Sequence, residues 1–245
     1  MIEDKRLSNE IDHGKKLFSL GAENIWNWSS PGGKLRAERR TNYFVTEAKI
    51  SSSDNVLEIG CGTGLFSGKV YNKTNCKLTS IDISPELINE AKNKYPEITF
   101  RLEDAMNTSF QSNTFDVVFG SSVLHHLDFK KSLQEIFRVL KPEGRIVFAE
   151  PNMLNPQILI QKNIPFIKKM LGDSPDETAV VRWKLNALLK EIGFTQTRAF
   201  PYDFMHPLLP AFSLPAFSKI GPFIEKIPLL KEIAGSVIIY AEKPK

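Results

Sequence analysis

Short apolar runs alternate with amphipathic stretches along residues 51–150, and this alternation predicts repeated strand–helix units. The apolar runs predict five short strands, at residues 55–59, 77–81, 98–102, 115–119 and 145–149. Consecutive β-α-β units favour a parallel sheet that is covered by helices on both faces, with right-handed crossovers. Ligands bind such sheets at the carboxyl ends of the strands. We therefore expect the functional residues to follow the strands directly.

The two zones that flank this middle zone have a different pattern. Residues 1–50 are polar and predict an N-terminal cap segment, and residues 51–245 predict one main domain with lid insertions near 155–175 and 205–234. A helix and two strands complete the domain, at residues 176–192, 194–204 and 235–241. The 205–234 insertion is apolar and rich in proline. It would expose apolar surface unless it covers an acceptor, a membrane surface or another subunit, or packs on the core.

The composition is that of an ordinary globular protein, with 42% hydrophobic and 24% charged residues. Cys61 and Cys76 are the only cysteines, which indicates no disulfide framework and no zinc site. We therefore expect a cytoplasmic protein without a metal ion. The sequence has neither an apolar leader nor an apolar stretch of about 18 residues, so it predicts no signal peptide and no transmembrane helix.

The net charge of +4 arises entirely from residues 151–245. This excess suits an anionic substrate, an anionic lipid surface or a solvated surface. A nucleic-acid binder is not indicated, because no basic stripe with interleaved aromatic residues is present. The expected partner is a small or lipid-linked molecule, and peripheral membrane contact through the C-terminal lid is an open alternative. The sequence does not indicate an oligomeric state.

A glycine-rich segment, VLEIGCGTG, runs from Val56 to Gly64 between a predicted strand and a predicted helix. Glycine allows a sharp turn and a close approach of the backbone to a ligand. Asp82 ends the next strand, where an acid can bind the two hydroxyl groups of a ribose. The dinucleotide pattern G-x-G-x-x-G is absent, since Leu65 follows Gly64. Glu58 would repel a pyrophosphate and would attract a cationic cofactor.

These segments together resemble class I S-adenosylmethionine-dependent methyltransferases. Residues 58–64 (EIGCGTG) resemble the first motif of that family, residues 80–84 (SIDIS) the second and residues 103–105 (EDA) the third. Residues 115–128 (FDVVFGSSVLHHLD) and 138–152 (RVLKPEGRIVFAEPN) are similar to later blocks of the type 11 branch, which includes ubiquinone and menaquinone methyltransferases. The resemblance covers about residues 53–152.

The resemblance implies a fold, a cofactor and a set of binding residues. The fold would be an α/β Rossmann-like three-layer sandwich with a seven-stranded, mostly parallel sheet of strand order 3-2-1-4-5-7-6. S-adenosylmethionine would be converted to S-adenosylhomocysteine. Its methionine end would contact Glu58, Gly60, Gly62 and Ser121, and its ribose would contact Asp82. The adenine would contact Ile83, Asp104 and Ala105, while Cys61 and Gly64 complete the glycine loop.

Two adjacent histidines, His125 and His126, follow the fourth strand, where the acceptor is expected. Histidine titrates near neutral pH and can remove a proton from a hydroxyl group, so either residue could act as the base. Glu150, at the end of the fifth strand, could orient one of them. The histidines favour O-methylation, and C-methylation of a quinol-type ring is the alternative. A nicotinamide oxidoreductase and a non-catalytic nucleotide-binding scaffold are the alternatives from other classes.

Residues 26–40 contain two tryptophans and a cluster of arginines that precede the first strand. Arg36, Arg39 and Arg40 fall on or near one face of a predicted helix, where they could bind an anionic group of the acceptor or remain solvated. Trp26 and Trp28 could line the acceptor pocket or pack the lid. His206 and Tyr202 are further candidates for the pocket wall.

Overall fold

Seven strands form one sheet in the computed structural model, which describes residues 2–170, 177–207 and 209–245. The strands are β1 (Asn55–Ile59), β2 (Lys77–Asp82), β3 (Thr99–Leu102), β4 (Phe115–Ser121), β5 (Leu140–Pro151), β6 (Thr195–Tyr202) and β7 (Ser236–Glu242). Their order in the sheet is β3-β2-β1-β4-β5-β7-β6. Only β7 runs antiparallel to its neighbours, β5 and β6. The expected α/β class and strand order are therefore confirmed.

Ten helices are present in the described part of the chain. They are α1 (Ile2–Leu20), α2 (Ala22–Ile25), α3 (Pro31–Glu47), α4 (Leu65–Thr74), α5 (Pro85–Lys94), α6 (Phe129–Val139), α7 (Pro156–Asn163), α8 (Pro165–Met170), α9 (Arg182–Ile192) and α10 (Leu214–Ile224). Short 3-10 helices span Leu124–His126, Ala211–Ser213 and Leu230–Ile233.

The alternation of side chains along each strand divides the core into two layers. Leu57 of β1 and Val118 of β4 pack on one face, together with residues of α6 and α9. Val56 and Val117, one position earlier on the same strands, pack on the other face with residues of α3, α4 and α5. Both faces of the sheet are thus covered by helices, which gives the three layers that the sequence predicts.

Side-chain caps fix the starts of helices near the sheet's carboxyl edge. The Ser84 hydroxyl caps α5, and Pro85 occupies the first turn, where its missing N–H costs nothing. Asp128 caps α6 through the N–H of Lys131, at 3.0 Å. Ser30 accepts the N–H of Gly33 at 2.9 Å and starts α3. These caps hold the loops between them and the sheet in defined positions.

One element after β5 differs from the sequence pattern. Helix α9 begins at Arg182 rather than at residue 176, because Val180 pairs with the chain after β5: its N–H donates to Pro151 and its carbonyl accepts from Met153, both at 2.9 Å. Residue 176 itself lies outside the described residues, as do residues 171–175 of the first predicted insertion and residue 208 of the second.

The remainder of the two insertions is largely helical. Helices α7 and α8 occupy most of the first insertion, and α10 with two 3-10 helices occupies the second. Within the part of the chain that the structure describes, every helix is too short or too polar to cross a bilayer.

Candidate active site

A cavity of about 630 Å³ lies at the carboxyl ends of the parallel strands and is partly covered by α1 and α2. This volume falls within the range of about 300–1,000 Å³ that is usual for ligand pockets. Most of the predicted cofactor residues line it: Gly60, Cys61, Gly62, Asp82, Ile83, Asp104, Ala105 and Ser121. The cavity is also lined by His125 and His126, which were the predicted bases. The cavity therefore combines most of the residues that were singled out from the sequence.

The glycine loop after β1 bends sharply into the cavity. Gly60 and Gly62 have φ angles of 66° and 52°, which favour glycine. A Cβ atom on Gly60 would lie only 2.3 Å from Val123, and one on Gly62 would lie 2.9 Å from the ring of Trp26. The backbone of both glycines thus runs close to neighbouring side chains, and no larger residue fits at either position.

Asp82 connects the end of β2 to the glycine loop. Its carboxylate accepts the N–H of Gly62 at 2.8 Å and the N–H of Ser84 at 3.0 Å. Burial raises the pKa of Asp82, and these backbone N–H groups oppose the shift. Each oxygen of an ionised carboxylate has two acceptor sites. Asp82 can therefore accept further hydrogen bonds from a ligand in the cavity.

Glu58 and Gly64, which were expected to contact the cofactor, do not line the cavity. Glu58 is on the face of β1 that α4 covers, and its carboxylate accepts the hydroxyl groups of Ser67 and Ser80. Burial raises the pKa of Glu58 to about 7. Gly64 ends the loop one turn further on, against Tyr95. The alternation along β1 directs Glu58 into the core, so its carboxylate lies behind the glycine loop.

Cys61 lines the cavity without the environment of a reactive thiol. Its side chain is buried, and burial raises the pKa of the Cys61 thiol well above its usual value. The thiolate is the nucleophilic form of cysteine. Cys61 therefore contributes apolar surface to the cavity wall.

His125 forms a hydrogen-bonded pair with Glu150 behind the cavity wall. The distance between His125 Nδ1 and Glu150 Oε2 is 2.7 Å, and the other carboxylate oxygen accepts the N–H groups of Val123 and Leu124 at 3.0 and 2.9 Å. Burial opposes ionisation of Glu150, but the bonds from His125 and the backbone lower the pKa of Glu150. An ionised carboxylate only accepts, so the proton is on Nδ1 and the lone pair on Nε2.

The two histidines have different electrostatic surroundings. Burial and the neighbouring His126 lower the pKa of His125 below its usual value. Burial has the same effect on His126, but Glu10 of α1 and Glu177 outweigh it and raise the pKa of His126. The distance from His126 Nδ1 to Glu10 Oε2 is 3.1 Å. His126 is thus the more readily protonated member of the pair and His125 the less readily protonated one.

Donor atoms of His125, His126 and Glu177 lie within 4.8 Å of one another, a spacing that a metal ion could bridge. Glu177, however, is already ion-paired with Lys162, and the positive charges around it lower the pKa of Glu177 although burial acts in the opposite direction. Lys162 competes with a cation for this carboxylate. The cluster is an ion-pair network in this structure.

Arg40 of α3 is a buried cation at the cavity wall. Its guanidinium donates to the hydroxyl groups of Ser121 and Ser122 at 2.9 Å, and also to Tyr202 and Ser236. It lies 5.0 Å from the ring centre of Trp28. No carboxylate among the described residues forms an ion pair with it, although Arg36 and Arg39 each have one, Asp203 and Glu225. Arg40 is therefore the arginine of this helix that is suited to an anionic ligand.

Comparison with known proteins decides what kind of enzyme this geometry belongs to. A family model described as a methyltransferase domain matches residues 57–148. A demethylmenaquinone methyltransferase of Chlorobaculum parvum is 29% identical over 83% of this chain and 74% of its own length. The O-methyltransferase resE of Aspergillus sclerotiorum is 27% identical over 91% of this chain and 86% of its own length. This chain is a class I methyltransferase.

The fold of this methyltransferase is shared with solved structures. A SAM-dependent methyltransferase from Thermotoga maritima, described as a possible histamine N-methyltransferase, has a TM-score of 0.63 and 16% sequence identity, and the match covers 93% of this chain and 98% of that chain. The methyl donor of this methyltransferase is S-adenosylmethionine, and its matched domain is of the type 11 branch.

The residues around the cavity of the methyltransferase fit this donor. The cavity is large enough, Asp82 retains acceptor capacity, and Arg40 is a buried cation without a carboxylate partner in the described chain. Sequence reasoning treated the three arginines alike and did not single out Glu177 or Glu10. The spacing of the arginines on α3 was a usable signal, but the choice among them depends on partners more than 80 positions away.

Proposed function

We propose that this methyltransferase transfers the methyl group to a hydroxyl oxygen of a small or lipid-linked acceptor, with His125 as the general base. The observation that carries this proposal is the 2.7 Å hydrogen bond between His125 and Glu150, at the wall of the cavity that Gly60 and Asp82 also line. A base near the acceptor hydroxyl contributes about 10²–10⁴-fold to such a reaction.

Glu150 positions His125 and fixes its tautomer. Because its two oxygens bind the His125 ring and two backbone N–H groups, the carboxylate holds the imidazole in one orientation. Nε2 is then the atom that can accept the proton of the acceptor hydroxyl. The lowered pKa of His125 keeps this nitrogen unprotonated at neutral pH. Bound S-adenosylmethionine supplies an activated methyl group and leaves as a neutral thioether.

In our proposal, a second set of residues that line the cavity holds the donor. Asp82 accepts the ribose hydroxyl groups, and Ile83, Asp104 and Ala105 border the adenine. The backbone of Gly60, Cys61 and Gly62 approaches the methionine portion, with Ser121 on its other side. Arg40, bonded to Ser121, binds the carboxylate of the donor. Glu58 and Gly64 act from behind the loop, by shaping it.

His126 does not serve as the base in this scheme, because its surroundings favour the cationic form. Its carboxylate neighbours, Glu10 and Glu177, come from two segments that border the cavity. Arg6 of α1 also donates to the carbonyl oxygen of His126, at 2.6 Å. We assign His126 the role of holding α1 against the acceptor side of the cavity.

The choice of oxygen over carbon rests on the base, since a hydroxyl group must lose its proton when it is methylated. One relative is named an O-methyltransferase, which agrees with this choice, whereas another is named a demethylmenaquinone methyltransferase. Apolar residues of the cavity, such as Leu7, Leu17 and Ile158, suit an acceptor with an extended apolar portion.

Incubation with methyl-labelled S-adenosylmethionine and an extract of small molecules and lipids tests the proposal. Label in an O-methyl group is released as methyl iodide by hydriodic acid, and label in a C-methyl group is retained. We expect releasable label, and a rate lower by about 10²–10⁴-fold in His125→Ala with an unchanged affinity for S-adenosylhomocysteine. Added imidazole should restore part of that rate. Retained label, or full activity of His125→Ala, would contradict the proposal.

A further inference from the structure

Residues 211–233 form a surface, here named the C-terminal apolar surface, that the rest of the described chain leaves uncovered. Phe212, Phe223 and Leu229 are 87%, 67% and 84% exposed. Phe217 and Ile220 precede Phe223 on α10 at three-residue spacing, so the three share one side of this helix. Exposed apolar clusters of this kind mark interaction sites in proteins.

A second group of exposed apolar residues lies on a segment whose first residue is hydrogen-bonded to this surface. Ile164, Phe166 and Met170 are exposed at the end of α7 and on α8. Asn155, the cap of α7, donates to the carbonyl oxygen of Ile233 at 2.8 Å, which links α7 to the end of the C-terminal apolar surface. The chain on both sides borders the cavity, through Gln157 and Ile158 of α7 and through Gly235.

The acidic residues of this surface are directed inward, and its lysines are not paired. Glu225 binds Arg39 at 2.7 Å, and Glu232 binds Arg182 at 2.9 Å. The lysines, Lys219, Lys226 and Lys231, form no ion pair with any carboxylate in the described chain, and the first two are exposed. The outward charge of the C-terminal apolar surface is therefore positive.

We propose that the C-terminal apolar surface docks onto a bilayer that contains anionic phospholipid. Phenylalanine and leucine side chains enter the interfacial region, and the lysines bind the anionic head groups, as in other interfacial amphipathic segments. A symmetric second copy fits less well, because it would bring the unpaired lysines of both chains together. Docking would bring the border of the cavity beside a lipid-linked acceptor, and this last step alone rests on the proposed function.

Vesicle sedimentation with the full chain, without acceptor or turnover, tests the docking. We expect binding to phosphatidylcholine vesicles that contain phosphatidylglycerol, weaker binding to phosphatidylcholine alone, and a decline with added salt. Combined Phe212→Ser, Phe223→Ser and Leu229→Ser should lower binding by about tenfold or more. Lys219→Glu with Lys226→Glu should abolish the preference for phosphatidylglycerol. Leu102→Ser is the matched control, since Leu102 is 53% exposed on β3 and should leave binding unchanged.

Three results would overturn the docking proposal. They are no binding of the wild-type chain to either vesicle, undiminished binding of the triple serine variant, and a wild-type dimer in light scattering that the triple variant converts to a monomer. Affinity for S-adenosylhomocysteine serves as the folding control for every variant. The assay contains no acceptor, so a lack of vesicle binding would contradict the docking proposal without bearing on the role of His125 as the base.

Discussion

At the scale of single residues, the pKa values of two adjacent histidines are shifted in opposite directions because their neighbours differ. His125 is buried and is bonded to Glu150, which already binds two backbone N–H groups. His126 faces Glu10 and Glu177, and these acids favour its cationic form. Burial, and the positive charge that His126 carries when it is protonated, in turn lower the pKa of His125. Two identical side chains therefore differ in basicity, and the lower pKa of His125 suits the base that we propose.

The pH dependence of turnover tests this assignment. A base must be neutral, so kcat should fall as the pH decreases through the pKa of His125, which lies below the usual 6.5. In His126→Asn the neighbouring positive charge is absent, and the acidic limb of the profile should move to higher pH. An acidic limb above pH 6.5 in the wild-type profile would show that a group other than His125 is titrating. An acidic limb that stays in the same place in His126→Asn would show the same.

Arg40 makes a second prediction at this scale, for donor binding. Arg40→Met should weaken the binding of S-adenosylhomocysteine by about 1.5–3 kcal/mol, because a charged hydrogen bond to the carboxylate of the ligand is lost. The affinity for 5′-methylthioadenosine, which lacks that carboxylate, should not change. Calorimetry with both ligands measures the difference. Arg39→Met is the matched control, since Arg39 pairs with Glu225 and does not line the cavity. Equal losses for the two ligands would refute this role of Arg40.

At the scale of elements, the cavity depends on how α1 packs against the sheet. Gly14 of α1 lies over Ser84 at the start of α5, and a Cβ atom at Gly14 would be 2.7 Å from the Ser84 side chain. Leu17 of α1 packs with Leu87 of α5 and with Ala22. Arg6 and Glu10 connect the same helix to His126. The helix is thus held over the cavity by a close backbone approach and by a few polar contacts.

A larger residue at position 14 should therefore displace α1. We expect Gly14→Leu to lower the free energy of unfolding by about 1–3 kcal/mol, because the larger side chain overpacks this contact. The release of S-adenosylhomocysteine should become about five- to a hundredfold faster. The fluorescence of Trp26, whose ring lies next to Gly62, can report the release in stopped-flow experiments. Ser19→Leu, on an exposed position of α1, should leave the rate unchanged. An unaltered rate in Gly14→Leu would mean that α1 does not retain the donor.

The strands and their carboxyl-end loops were predictable because local patterns encode them. Apolar runs located the strands, and the glycine loop and Asp82 followed from motifs within a few residues of strand ends. The direction of Glu58 was not predictable in this way, since it depends on contacts with Ser67 and Ser80. The start of α9 at Arg182 likewise depends on the pairing of Val180 with residues after β5.

At the scale of the whole molecule, the sheet brings residues from distant segments to one edge. Asp82 and His125 follow different strands, β2 and β4, and both line the cavity. Glu177 and Arg40 reach the same cavity from regions outside the matched methyltransferase domain. Such partners are set by tertiary packing, which a single sequence does not display. The insertions after β5 and β6 place apolar surface beside the cavity, and the predicted membrane contact of this region has a direct test in vesicle binding.

The most direct test of the account is a crystal structure of the complex with S-adenosylhomocysteine. We predict that the ribose hydroxyl groups bind Asp82 and that the sulfur lies within about 8 Å of His125 Nε2, a distance that accommodates a methyl group and an acceptor hydroxyl in line. A ribose bound elsewhere, or a sulfur that faces away from His125, would contradict the arrangement proposed for donor and base.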